Sequence, residues 1–321
     1  MTLARGLRPN RMRLGAILAV SLFLRSPVAH AENQAASASA AGDEAASASA
    51  AGDEAASANA VGDEAASAAK LAAEFTDPLT TVPQFFIQDA YTPENYGTDA
   101  QANRVIARLI VPRIPRFSLF PFVQLIRPSV SLVTVPTGRG RGTRTEFGDT
   151  QLFDLAVLPW PGRETGLTVG VGPVFVFPTA TYKTAGQSAW QLGPAFGAIY
   201  KGIPGLVFGC LIQNPIAFAY TSQQHRPLST LSVQPILLQY LGRGFYVKSA
   251  DSNWMRGWHE GAAMTVPLSL GLGYVWLRKG QPPINLFVSG EWMAYRKDAP
   301  VAPQTTVRFG VTVAFPELSP W

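Results

Sequence analysis

The sequence predicts an all-β fold, an antiparallel transmembrane β-barrel of about twelve strands occupying residues 75–321. Three observations predict it. Apolar residues alternate with small or polar ones at a period of two, in segments of about ten residues that end in turn residues. The connections between those segments sort into a short set and a longer, more polar set. Composition agrees: 47% of the 321 residues are hydrophobic but only 15% are charged. An average soluble domain carries roughly 25% charged residues.

Two segments precede the barrel. Residues 1–31 read as a secretory signal, with Arg5, Arg8, Arg11 and Arg13 as its basic start and Ala29-His30-Ala31 as a small-x-small cleavage site. The apolar run from Leu14 to Leu24 falls short of the roughly 18 residues that cross a bilayer as a helix. Residues 32–74 form an Ala-rich arm in which Gly-Asp-Glu recurs every ten residues, at Gly42, Gly52 and Gly62. Such a repeat holds nothing large enough to build a core, and glycine weakens helix by about 1 kcal/mol each time. A disordered or partly helical tether is expected. The formal net charge of +5 divides unevenly: five arginines sit in the signal, the arm is acidic, and residues 75–321 carry the basic excess.

In chain order the predicted strands lie near 79–91, 101–112, 123–135, 151–159, 167–177, 190–200, 206–219, 228–240, 244–250, 264–277, 284–295 and 305–315. The clearest places Val266, Leu268, Leu270, Leu272, Tyr274 and Trp276 on one face and Thr265, Ser269, Gly271 and Gly273 on the other. In the fifth, Leu167, Val169, Val171, Phe175 and Phe177 oppose Thr168, Gly170 and Gly172. The sixth sets Trp190, Leu192, Phe196 and Tyr200 against Gln191, Gly193 and Gly197. The last sets Val307, Phe309, Val311 and Val313 against Arg308, Gly310 and Thr312. Alternation is weakest over 206–250. Aromatics gather at segment ends, as rings at headgroup level do. Short connections are expected at 160–166, 201–205, 241–243 and 278–283, with 113–122 somewhat longer, and long ones at 92–100, 136–150, 178–189, 220–227, 251–263 and 296–304. That sorting separates a membrane barrel from a soluble sandwich. It puts both termini in the periplasm of a Gram-negative cell. The last strand, Arg308 to Phe315, resembles the terminal signal read by the barrel-insertion machinery.

An ordered set of blocks carries a family resemblance. Gly170-Val-Gly-Pro-Val-Phe-Val-Phe-Pro-Thr-Ala-Thr181 is followed by Trp190-Gln-Leu-Gly-Pro-Ala195, Gln213-Asn214, Val233-Gln-Pro-Ile236, Thr265-Val-Pro-Leu268 and Pro282-Pro-Ile-Asn-Leu286. Over about residues 79–316 this resembles the bacterial outer-membrane proteins of the phenol meta-degradation pathway, transporter-like and sometimes labelled neuromedin U. The resemblance implies an outer-membrane barrel channel and aromatic-hydrocarbon uptake. It brings no catalytic residues. The decapeptide arm lies outside it.

On the strand parities, Arg104, Arg108, Arg127, Asp154, Gln191, Gln234, Glu291 and Arg308 are expected to line the lumen. Two readings stay open for them. They form structural ion pairs that plug a narrow barrel, or Arg104, Arg108 and Arg127 form a positive ladder that favours anionic or aromatic solutes. Twelve strands fall between filled eight-stranded barrels and open sixteen-stranded porins, so small solutes are the size limit. The loop from Thr137 to Thr145 carries a basic cluster, Arg139, Arg141 and Arg144, in reach of lipopolysaccharide phosphates. It lacks P-loop spacing, and nucleic acid is not an expected partner. Enzyme chemistry has little to stand on: beyond the signal the only histidines are His225 and His259, both in loops, with Ser222 and Ser252 as the serines that could approach them. No cofactor is expected, and the single Cys210 excludes internal disulfides and multi-cysteine metal sites. A channel, a structural or adhesive barrel, and a lipid-modifying enzyme are the three readings.

Overall fold

Strands that are apolar on one face bury that face only if something apolar lies against it, and here lipid and a packed interior share the task. The structure, a computed structural model, describes residues 66–113, 123–137, 142–158, 166–182, 184–222, 227–249, 251–259 and 263–318. The signal, the arm as far as residue 65, Arg139, Arg141 and His225 fall outside the described residues.

Within the described residues, fifteen strand segments build twelve barrel strands. These are β1 (Gln84–Tyr96), β2 (Ala102–Arg113), β3 (Val123–Pro136), β4 (Thr143–Phe147 and Thr150–Leu158), β5 (Leu167–Phe177) and β6 (Ala189–Ile203). They continue as β7 (Leu206–Gln213 and Ile216–Tyr220), β8 (Thr230–Gly242), β9 (Phe245–Ser249 and Trp254–Gly257), β10 (Met264–Trp276), β11 (Ile284–Lys297) and β12 (Ala302–Ala314). Each strand pairs antiparallel with its chain neighbours. The ring closes where β12 meets β1, from Gln84 opposite Ala314 to Tyr91 opposite Val307. Three strands are broken. β7 breaks at Pro215, which has no N–H to give the ladder.

Both ends of the ring, Gln84 and Ala314, lie at one rim, here the near rim. Two turns there are tight, at 204–205 and 243–244. In the second, Arg243 and Gly244 both hold positive φ, 51° and 83°, the pairing a two-residue type I′ hairpin needs. The strict short and long sorting of connections does not hold. The near-rim connection 277–283 is longer than the far-rim connection 298–301, because β1, β4, β9, β11 and β12 run further toward the far rim than their apolar stretches. Polar, exposed hairpin ends such as Thr143–Phe147 keep pairing in water, so polarity does not mark where a strand stops.

Outward residues make the apolar belt: Ile87 on β1, Leu109 on β2, Phe196 on β6, Leu270 and Leu272 on β10, and Phe309 on β12 are all exposed. Large aromatics flank it, with Trp276 and Phe245 toward the near rim and Trp190, Trp258 and Trp292 toward the far one. Cys210 shares the outward parity of Phe208 on β7.

The core lies inside the ring. Leu125, Phe153, Leu155, Val157, Val174, Ile199, Leu211, Leu238 and Tyr246 point inward and pack together, joined by Ala72 and Leu79. Those last two belong to α1 (residues 66–76) and the turn after it. The expected boundary between arm and barrel at residue 75 therefore cuts through a helix. Residues 79–83, expected as the start of the first strand, lie outside it and follow a turn at 78–79. Asp77 caps that turn, its carboxylate accepting from the Leu79 N–H at 2.7 Å and its carbonyl from the Thr80 N–H at 3.3 Å.

Candidate functional site in the barrel lumen

The segment from α1 to Thr80 stops the near end of the lumen. Leu79 is 1% exposed and sits over Gly170 of β5 and Gly197 of β6, which face each other across the two strands. A Cβ at Gly170 would lie 2.6 Å from the Leu79 Cδ2, and one at Gly197 would lie 3.0 Å from it. The wall is bare where Leu79 needs room. Lys201 of β6 fastens the segment through its Nζ, 2.7 Å from Glu74 Oε1 and 2.6 Å from Asp77 Oδ2. Gln84 donates to the Glu74 carbonyl at 3.2 Å, and the Arg127 guanidinium reaches the Pro78 carbonyl at 3.4 Å. Burial pushes the Asp77 carboxyl above its ordinary range, and the Lys201 ammonium pulls it back.

Two cavities lie along the axis. The lower, about 180 Å³, is floored by Phe75, Asp77 and Pro78 and walled by Arg108, Arg127, Lys248, Asp251, Asn285 and Arg308. The upper, about 340 Å³, opens toward the far rim and is lined by Gln151, Gln187, Gln191, Gln213, Ser129, Ser131 and Ser232. Arg104, Arg108, Arg127, Gln234 and Asn253 border both.

Of the eight expected lumen residues, seven face inward. Arg104 and Arg108 of β2, Arg127 of β3, Gln191 of β6, Gln234 of β8 and Arg308 of β12 line the cavities. Glu291 of β11 joins them by accepting from Arg308 Nη2 at 2.8 Å. Asp154 does not. On β4 the inward parity belongs to Phe153, Leu155 and Val157, so Asp154 faces out and accepts from the Gln124 amide at 2.6 Å. The expectation failed because it equated polar with inward, whereas this part of the inner wall packs on Leu79 and is apolar.

Lys248 and Asp251 were missed, and they form a further internal ion pair at 3.0 Å. Asp251 also accepts from Ser289 Oγ at 2.8 Å. Lys248 shared a readable parity with Tyr246, but β9 breaks before Asp251 and carries no further alternation. Aromatic rings back the cations. Arg108 lies 5.0 Å from the Phe86 centroid, Arg127 4.3 Å from Phe153, and Lys248 3.2 Å from Phe287.

The lumen carboxylates already have partners: Asp251 has Lys248, Glu291 has Arg308, and Asp77 has Lys201. Asp149 accepts from the backbone N–H groups of Ala180 and Gln187. Among the described residues Arg104, Arg108 and Arg127 have no ion-pair partner, and the Nε of Arg108 and of Arg127 is buried without any hydrogen-bond acceptor. Both open readings of the sequence therefore apply, to different residues. Arg308 with Glu291 is structural pairing, while the three other arginines make no direct ion pair and feel Asp149, Asp251 and Asp77 only at longer range.

Outside the lumen, Arg144 pairs with Glu146 and lies 4.1 Å from the Tyr182 ring centroid, so it is anchored to the β4 hairpin. Ser252 is 2% exposed and His259 is exposed, and no hydrogen bond joins them among the described residues. No group of metal-ligating side chains occurs among the described residues.

No family model and no curated protein matches the chain. Among solved structures it is similar to the COG4313 outer membrane channel from Pseudomonas putida F1, with 11% identity, a TM-score of 0.50, and coverage of 73% of this chain and 94% of that one. It is also similar to the NanC porin, at 12% identity, TM-score 0.46, and coverage of 72% and 100%. The KdgM porin gives 10% identity, TM-score 0.41, and coverage of 72% and 99%. What the chain shares with the Pseudomonas putida channel is the fold, here a closed antiparallel twelve-stranded barrel.

Proposed function

We propose that the protein is an outer-membrane channel for small anionic solutes, closed at its near rim by its own α1 segment. The observation that carries this reading is the set of three arginines, Arg104, Arg108 and Arg127, that face the lumen without a carboxylate in direct contact among the described residues. Arg127 is buried, Arg108 half-buried and Arg104 open to the upper cavity, and burying a guanidinium costs several kcal/mol unless it is paired. A barrel that needed these residues only as filler would be more stable with apolar ones. Their retention is accounted for if anions pass or dwell there.

The near rim, where the arm enters, is the periplasmic side in this reading. The far hairpins, with the cluster Arg139, Arg141 and Arg144, then face the lipopolysaccharide leaflet, and the last strand addresses the barrel-insertion machinery. The affinity with the phenol-pathway family stands as part of the proposal and rests on the Gly170 to Thr181 block. An apolar aromatic hydrocarbon fits the lumen less well than an anion, because Phe86, Phe153 and Phe287 already carry a cation on a ring face.

Planar-bilayer recording tests the reading. In a KCl gradient the reversal potential should report anion selectivity, and replacing Arg104, Arg108 and Arg127 together by Gln should bring the permeability ratio close to one. Cation selectivity of the intact protein would overturn the proposal. So would silence both with and without residues 66–80, a result that favours the second reading, a structural barrel. The filled near end of the lumen is the observation on the side of that alternative.

A further inference from the structure

We infer that the junction of the two lumen cavities is a binding site for a small polyhydroxylated carboxylate, with the carboxylate held by Arg108 and Arg127 and the hydroxyls held in the upper cavity. The inference rests on the channel reading and names the solute class for it.

Three features define the site. The first is unmet donor capacity. Arg127 is only 4% exposed, yet its Nε has no acceptor, and the same holds for the buried Nε of Arg108. A buried N–H without a partner costs about 1–3 kcal/mol, so an acceptor entering the cavity and drawing these two side chains toward it would relieve both. The second is orientation. Each guanidinium has its face against a ring, Phe86 for Arg108 and Phe153 for Arg127, so the N–H edges remain to bind a ligand, apart from the Arg127 Nη1 that donates to the Pro78 carbonyl. A planar carboxylate suits such a fork, and like charges gathered here disfavour a cation.

The third feature is what lies above. The upper cavity offers amides and hydroxyls: Gln151, Gln187, Gln191, Gln213, Ser131 and Ser232. Amide side chains both donate and accept, as a hydroxyl does, so they match a row of hydroxyl groups better than an apolar ring. The one aromatic ring in that lining, Phe153, has Arg127 over it. At about 340 Å³ the cavity is at the small end of small-molecule sites, which run from roughly 300 to 1,000 Å³. An acid of about one sugar unit fits that scale.

Calorimetry on the full-length protein in detergent tests this, with gluconate, benzoate and glucose as probes. Gluconate should bind at least about tenfold more tightly than benzoate, which lacks the hydroxyls, and than glucose, which lacks the charge. Arg127→Lys keeps the charge but loses the fork, so it should weaken gluconate about tenfold. Gln191→Leu should weaken gluconate and spare benzoate. Heat-modifiable migration on gels confirms that each variant keeps its barrel. Benzoate binding as well as gluconate would overturn the hydroxyl assignment. No binding of any probe by a protein that still conducts anions would overturn the site and leave the channel standing. Absence of conductance would remove the channel reading itself.

Discussion

Asp154 shows how a single side chain tests the meaning of a barrel's alternation. Its carboxylate lies among lipid-facing neighbours, and the Gln124 amide is its hydrogen-bond partner. An acid in that position costs free energy that depends on depth, less than a base would. Removing one partner strands the other, whereas removing both exchanges a polar pair for lipid contact. The double variant Gln124→Leu with Asp154→Leu should therefore be at least as stable as the parent in urea unfolding from lipid vesicles. Its ion selectivity should be unchanged. A shift in reversal potential would place Asp154 in the lumen after all. The inward arginines were legible because Arg104 and Arg108 interrupt an otherwise apolar parity on β2. Asp154 was not, since both faces of β4 are apolar around it, one against lipid and one against Leu79.

The strands themselves were legible because each needs only a local pattern, a period of two and a turn residue. Twelve were expected and twelve form, with boundaries off mainly where pairing continues past the belt. The α1 segment was not legible. Its helix is as alanine-rich as the repeats before it, and its docking depends on Gly170 and Gly197, far away in sequence, being bare where Leu79 arrives. Burying a leucine contributes about 1.5–3 kcal/mol, and the paired Lys201 adds to it. Leu79→Asp should then raise the open population roughly ten- to a hundredfold, seen as longer and more frequent open intervals in single-channel records. Gly197→Val, which fills the notch from the other side, should act in the same direction. If either variant gates like the parent, the segment does not close the pore.

At the scale of the whole molecule, charge is separated by wall. The belt outside is nearly free of it, the inside holds, among the described residues, six cations (Arg104, Arg108, Arg127, Lys201, Lys248 and Arg308) against five acids (Glu74, Asp77, Asp149, Asp251 and Glu291), and the near end is held shut largely by apolar contact. Those two lumen properties respond differently to salt. Screening shortens the reach of the arginines from about 10 Å at 0.1 M ionic strength to about 3 Å at 1 M. The ion pairs from Lys201 to Glu74 and Asp77 are direct contacts inside the barrel and are screened far less. The burial of Leu79 and Ala72 is indifferent to salt at these concentrations. Raising KCl from about 0.1 to about 1 M should therefore lower the anion-to-cation permeability ratio toward one while the closed fraction stays nearly constant. A ratio that ignores salt would mean that pore size, not Arg104, Arg108 and Arg127, selects the ion. A closed fraction that falls with salt would mean that α1 is held by charge and that the glycine notch is secondary.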